Sequence, residues 1–263
     1  REGPFTDLWI QPAAGDAGAS LGAALDAWHT YFGQPRKLRT DGRPAQRGSW
    51  WGPGYSEAEI RGFLDTYGCQ YTLLSEAERA DRVADLLAAG KVVGHFTGRT
   101  EFGPRALGAR SILGDPRNPG MQARLNLKIK FRESFRPFAP AVPAECVSDY
   151  FEFDREGPYM LVVAPVRKDR RKTPEKIEGE DMLAIVKQLR SDIPAITHID
   201  YSARIQTMTA IDNPQYYEVA KAFEKKTGCA VIVNTSFNVR GEPIVNTPWE
   251  AYRCFMRTQM DAL

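Results

Sequence analysis

Three times along this chain a hydroxyl residue is followed three positions later by glutamate: Ser56 and Glu59, Ser75 and Glu78, Thr247 and Glu250. In such a box the hydroxyl accepts from a free N–H of the first helical turn while the carboxylate reaches back to the cap, so each box predicts a helix start. Behind the first box, Ile60, Phe63, Leu64 and Tyr67 keep helical spacing up to Gly68, and the second helix runs to Gly90. Residues 69–74 and 91–96 then read as strands. Helices alternating with short strands make an α/β fold.

The same reading extends over the rest. A strand ends at residues 8–10, and the turn PAAGDAG leads into a helix carrying Leu21, Ala24, Leu25, Trp28 and Phe32, closed by Gly33. Residues 34–55 have no period and many breakers, and read as a linker with a domain boundary. Asn118 and Pro119 open a short helix through Leu125 and Ile129, and residues 159–166 read as a buried strand. Residues 167–192 form a charged insert with a short helical stretch, a solvated excursion by composition. Asn213 and Pro214 open a helix that buries Tyr216, Val219, Ala220 and Phe223 before Gly228, and residues 229–233 form a strand ending in the polar turn Asn234–Asn238. Thr247 to Glu250 start a helix that carries the last residues.

Charge is concentrated in one place. Between Gly98 and Pro137 nine Arg and Lys residues face three acids, a local net of +6 in a chain whose total is +2. Within GRTEFGPRALGARSIL the glycines and Pro104 turn the backbone tightly around Arg105 and Arg110. Guanidinium forks and close-approaching backbone amides suit phosphate, and the same pattern also fits a surface turn with solvated charges. It lacks the Lys-Ser/Thr pair of a Walker A loop. Downstream stand Lys128, Lys130, Arg132 and Arg136; Lys130 and Arg136 would clamp a triphosphate if they share a face with Arg105, and otherwise the group forms a solvated helix end. Ser236 and Asn238, two apart past an apolar strand, suit phosphate or ribose oxygens, or a simple Asx or Ser turn. In THIDYSARIQT, Arg204 stands in an extended run, and His198 beside Asp200 fits a structural hydrogen bond better than a catalytic dyad. Asp16, set between glycines before a helix, suits either a metal or nucleotide contact or an N-cap.

Composition narrows the class. With 263 residues, 43% of them hydrophobic, the chain can bury a sizeable core, and its apolar runs are too short to cross a bilayer. Four cysteines without a CxxC pair read as reduced thiols of a cytoplasmic protein, and three scattered histidines offer no paired metal ligands. The chain starts at Arg1 and stops inside an amphipathic pattern, which reads as a fragment of a longer protein.

Four blocks, PAAGDAGASLGAAL, GRTEFGPRALGARSIL with its continuation to KFRESFRPFAP, THIDYSARIQT and VIVNTSFNVRGEPIV, occur in an order that resembles the C-terminal part of the O-carbamoyltransferase family, the NodU-type nodulation proteins and the antibiotic carbamoyltransferases. The resemblance implies a remnant of an actin-like (ASKHA) carbamoyl-transfer domain over 1–33, a linker over 34–55, and over 56–263 a YrdC-like domain. The last is an open twisted mixed sheet with flanking helices that forms carbamoyladenylate from ATP and carbamoyl phosphate. By position in the matching motifs, Arg105, Lys130, Arg204 and Ser236 would be the catalytic groups. Arg99, Arg110, Arg136, Met160 and Asn238 would bind ATP and carbamoyl phosphate. Mg²⁺ would bridge the phosphates, and Asp16 would complete an iron(II) site whose other ligands lie in a missing N-terminal domain. The acceptor would be a hydroxyl of a sugar, antibiotic or lipo-oligosaccharide. The chain departs from the family at Asp200-Tyr201-Ser202, where a Gly-Thr pair is usual, so Tyr201 either narrows the pocket or packs outside it. A basic face also suits RNA, but few aromatics interleave with the Gly- and Pro-rich cations, which favours a small ligand.

Overall fold

A computed structural model describes residues 4, 9–37, 39–40, 45–174 and 182–263. Among the described residues six strands make one mixed sheet: β1 Val93–Phe96, β2 Arg110–Gly114, β3 Ala139–Pro143, β4 Val162–Pro165, β5 Ser202–Met208 and β6 Ile232–Ser236, in the order β1-β2-β6-β3-β5-β4. Only β3 and β5 pair in parallel; the other neighbours are antiparallel. The expected α/β class and mixed sheet with helices are therefore present. Eight α-helices accompany the sheet among the described residues: α1 Asp16–Asp26, α2 Glu57–Thr66, α3 Glu76–Ala88, α4 Met121–Leu125, α5 Val147–Tyr150, α6 Met182–Lys187, α7 Pro214–Thr227 and α8 Pro248–Met256.

All three capping boxes form. Ser56, Ser75 and Thr247 accept from Glu59, Glu78 and Glu250 N–H groups, and each carboxylate returns to its cap. Asn213 caps α7 by accepting from the Tyr216 N–H, and Gly228 ends it at φ +71°. Helices α3 and α7 lie against each other over Val83, Leu87, Val219 and Phe223, all buried, while Lys226 bonds Asp81 and Asp85 at 2.8 Å each across the seam. The core continues through Ile112, Leu113, Val142, Ile205 and Val233 of the sheet. Burying such side chains contributes roughly 1.5–3 kcal/mol each, before the entropy of ordering them.

Several local readings change. Residues 69–74 are not a strand: apart from half-buried Cys69 they are exposed coil, so Tyr71, Leu73 and Leu74 have no sheet to join. Residues 9–10 are also coil, while Leu8 lies outside the described residues. The strand expected at 159–166 shortens to β4, an edge strand with Val163 57% exposed. The last helix stops at Met256, short of the chain end. Strands β2 and β3 lay hidden in the sequence because one begins on Arg110 and the other holds two prolines; Pro143 sits at the strand end and Pro140 is an interior position. The charged insert carries α6, but 175–181 lie outside the described residues. At the front, α1 continues through a π-turn to Tyr31 and Gly33 closes it, yet none of its residues is buried, and Trp28 and Phe32 stand 55% and 61% exposed.

Candidate functional site

Two cationic groups stand over one face of the sheet. The first gathers at the end of β6. After α4 the chain makes a π-turn, and Phe131 takes a left-handed conformation at φ +50°. Lys130 is thereby driven inward, 3% exposed, while Arg132 stays half-buried over the Phe138 ring. The Lys130 Nζ donates to both carbonyl and side-chain oxygens of the turn: Ser236 O, Ser236 Oγ at 3.2 Å, Asn238 O at 3.0 Å and Asn238 Oδ1 at 2.7 Å. Burial, and then the charge of Arg132, push its ammonium down to about 7. Ser236 Oγ donates to Asn238 Oδ1 at 2.7 Å, so the three side chains form one closed cluster.

The second group comes from β5 and the loop before β2. Arg204 is half-buried, its Nε has no hydrogen-bond partner, and burial followed by the charge of Arg105 lowers its affinity for a proton. Two guanidinium groups that repel each other, one of them with an unpartnered buried nitrogen, make a place for an anion. Arg105 itself is exposed on a loop that Glu101 holds from beneath: its buried Oε1 accepts from the N–H groups of Leu107, Ala109 and Arg110 at 2.8, 2.7 and 3.2 Å. Gly108 makes the loop possible. At φ +117° its Cβ would lie 2.3 Å from the Tyr216 ring.

Register places the two groups on the same side. Asn234 lies opposite Leu113 and Ala139, and Gln206 lies opposite Ala141. Residues directly opposite, and residues two apart on one strand, share a face, so Ser236, Asn234, Ala139, Gln206 and Arg204 do. Between the two groups lie the buried side chains of Ala139, Leu107 and Met160, a small apolar cluster in which Met160 holds φ +57°. Asn234 Nδ2 donates to Gln206 Oε1 at 2.6 Å and to Ala106 O at 3.0 Å, and Gln206 Nε2 to Leu107 O at 2.8 Å, which pins the Arg105 loop onto the sheet. From strand spacing and rise, the Ser236 and Arg204 backbones stand on the order of 12 Å apart.

Other expected residues are held differently. Arg110 is fully buried, stacked 3.7 Å over Phe96, and its guanidinium donates to the carbonyls of Thr97, Ala109, Gly98 and Pro53; burial pulls it down to about 10. Its role here is to hold backbone together. Arg99 is exposed and donates to Gly52 O at 2.7 Å and Trp51 O at 2.8 Å, stitching 51–54 to the loop. Arg136 is exposed and pairs with Glu133 at 3.2 Å. Asp16 is exposed in the first turn of α1, and among the described residues no three His, Cys, Asp or Glu side chains converge beside it or elsewhere. Tyr201 packs outside: at φ +64° its ring lies 5.3 Å from the Arg171 guanidinium and its hydroxyl donates to Lys172 O at 3.4 Å.

Sequence reasoning missed Glu101, Asn234 and Gln206 as parts of this arrangement. Glu101 carried a signal, a lone carboxylate within the Gly- and Pro-rich loop. Asn234 and Gln206 are legible only through register.

Residues 84–263 match the Carbamoyltransferase C-terminus family. The chain belongs to that family. Relatives align along nearly the full chain: an uncharacterized protein of Synechocystis sp. is 56% identical over all of it, covering 43% of that protein. Nodulation protein NolNO of Sinorhizobium fredii is 38% identical over all of this chain and 36% of its own length. The 3'-hydroxymethylcephem-O-carbamoyltransferase of Amycolatopsis lactamdurans is 34% identical over 93% of this chain and 40% of its own. The chain thus spans less than half the length of these relatives, and the resemblance carried by the four sequence blocks holds.

Proposed function

We propose that this chain is the carbamoyladenylate-forming part of an O-carbamoyltransferase, with 56–263 a YrdC-like domain, 34–55 a linker and 1–33 a piece of an actin-like transfer domain completed by upstream sequence. Carbamate displaces pyrophosphate from the α-phosphorus of ATP, and the carbamoyl group passes to a hydroxyl of a small molecule or oligosaccharide. The observation that carries this reading is the pairing of a buried, oxygen-bound Lys130 with an anion-ready Arg204 and Arg105 on one sheet face.

In the transition state negative charge gathers on the phosphoryl oxygens, and fixed donors stabilise it without reorganising. The Lys130, Ser236 and Asn238 cluster binds the nucleotide phosphates, with Lys130 exchanging its internal acceptors for phosphate oxygens. Arg204 and Arg105 hold the carbamoyl end. Met160 and Ala139 line the floor and keep water from the mixed anhydride. Arg136, freed from its exposed pair with Glu133, is within the same segment as Lys130 and adds charge over the phosphates.

Labelled pyrophosphate tests this. Mixed with ATP and the protein, label enters ATP only when carbamoyl phosphate is present, and Lys130→Met or Arg204→Ala abolishes the exchange. A folded wild-type protein with no exchange contradicts the reading.

A further inference from the structure

His198 stands outside the groups assigned above. It lies at the loop entering β5 and lines a cavity of about 430 Å³ shared with Gln122, Lys187 and Asp200. Its Nδ1 is 3.1 Å from the Ser202 Oγ, and that hydroxyl donates its single hydrogen to Asp200 Oδ1 at 2.7 Å, while the Ser202 N–H donates to the same oxygen at 3.0 Å. A hydroxyl has one proton to give. With it committed to Asp200, Ser202 can only accept from the ring, so Nδ1 carries the hydrogen and Nε2 presents its lone pair. No hydrogen bond to Nε2 exists among the described residues, and the atom is not sealed in the core.

The charges around the ring are mixed. Burial, the largest influence, lowers the affinity of the ring for a proton; Asp200, on its own loop, favours the imidazolium and Arg204 of β5 opposes it. Lys187 lines the same cavity. The result is a singly oriented imidazole that feels the charge of Arg204, the guanidinium proposed to hold the carbamoyl donor.

We infer that His198 is a further catalytic residue, the base that removes a proton from the water that cleaves carbamoyl phosphate, with Ser202 and Asp200 as positioning residues. This rests on the proposed function, which needs carbamate beside ATP. The water oxygen bonds to the carbonyl carbon while the bond from that carbon to the phosphate oxygen breaks. The leaving phosphate keeps the electron pair and takes one water proton, and Nε2 takes the other. Carbamoyl phosphate dianion plus water thereby gives carbamate, hydrogen phosphate dianion and an imidazolium, with charge and atoms balanced. Arg204 and Arg105 neutralise the departing phosphate.

The test follows phosphate release from carbamoyl phosphate by the full chain in ¹⁸O-water, corrected for spontaneous decomposition. His198→Gln should lower kcat about 100-fold with KM within about twofold, erase the acidic limb of the pH profile and keep the wild-type urea midpoint. Ser202→Ala should lower kcat about tenfold, and ¹⁵N shifts should show His198 leaving the Nδ1–H tautomer, a readout independent of turnover. Released phosphate should carry no ¹⁸O, as attack at carbon requires. Wild-type turnover matched by His198→Gln, an Nε2–H tautomer in the wild type, or ¹⁸O in the phosphate would each overturn the assignment while leaving adenylate formation standing. Absence of any wild-type phosphate release or pyrophosphate exchange would remove both.

Discussion

The Nζ of Lys130 lies 2.7 Å from the Oδ1 of Asn238, although 108 residues separate them in the chain. An ammonium that is 3% exposed and held by turn oxygens is costly to keep charged without an anion. The Lys130 side chain therefore couples proton, phosphate and fold.

Its proton is the first measurable consequence. Folding lowers the Lys130 pKa to about 7 from 10.5, so between those values the unfolded chain binds more protons than the folded one and stability rises with pH. Below about pH 7 both states are protonated and this contribution is flat. Urea titrations from pH 7 to 10 should show wild-type stability rising relative to Lys130→Met by a few kcal/mol. Saturating pyrophosphate should shrink that slope by keeping the lysine charged.

Arg204 and Arg105 repel each other when no anion is bound. Arg105→Ala should therefore leave the apo melting temperature unchanged or slightly higher, while calorimetry shows affinity for carbamoyl phosphate falling at least tenfold, about 1.4 kcal/mol. A drop in apo stability together with unchanged affinity would show that Arg105 serves the fold alone.

Arg110 should behave in the opposite way. Its guanidinium donates to four backbone carbonyls and stacks on Phe96 inside the protein. Arg110→Met leaves those carbonyls unpaired and should cost about 3 kcal/mol in urea unfolding. Any loss of ligand affinity should track the unfolded fraction.

Tyr201 occupies a left-handed backbone position at φ +64°. Glycine fits there without strain but surrenders the contact with Arg171 and gains chain entropy, so Tyr201→Gly should stay within about 0.5 kcal/mol of wild type. A β-branched residue is strained there, and Tyr201→Val should cost about 2 kcal/mol. Equal stabilities for the two variants would contradict this account of the Asp200–Ser202 turn.

Local chemistry was readable where it is decided locally. The capping boxes at Ser56, Ser75 and Thr247 and the stops at Gly68, Gly90 and Gly228 follow from neighbours a few positions away, and all formed. Residues 69–74 failed as a strand because apolar composition does not say whether a sheet edge is available. Residues Lys130, Ser236 and Asn238 were candidates from type and spacing, while their closure into one cluster depends on the left-handed Phe131 and on sheet register. Arg110 shows the converse. Its sequence neighbourhood matches Arg105, yet it is the first residue of a strand facing Phe96, and the pleat turns its charge inward. The hydroxyl relay at His198 was invisible because it turns on the direction of one hydrogen at Ser202.

The most direct measurement is a crystal structure with a non-hydrolysable ATP analogue and phosphate. The account predicts one nucleotide spanning the face above Ala139 and Met160, its phosphates on Lys130, Ser236 and Asn238, with phosphate against Arg204 and Arg105. An analogue seated instead in the cavity of about 620 Å³ lined by Glu76, Arg79 and Thr97, with Lys130 still bound to its own turn, would contradict it.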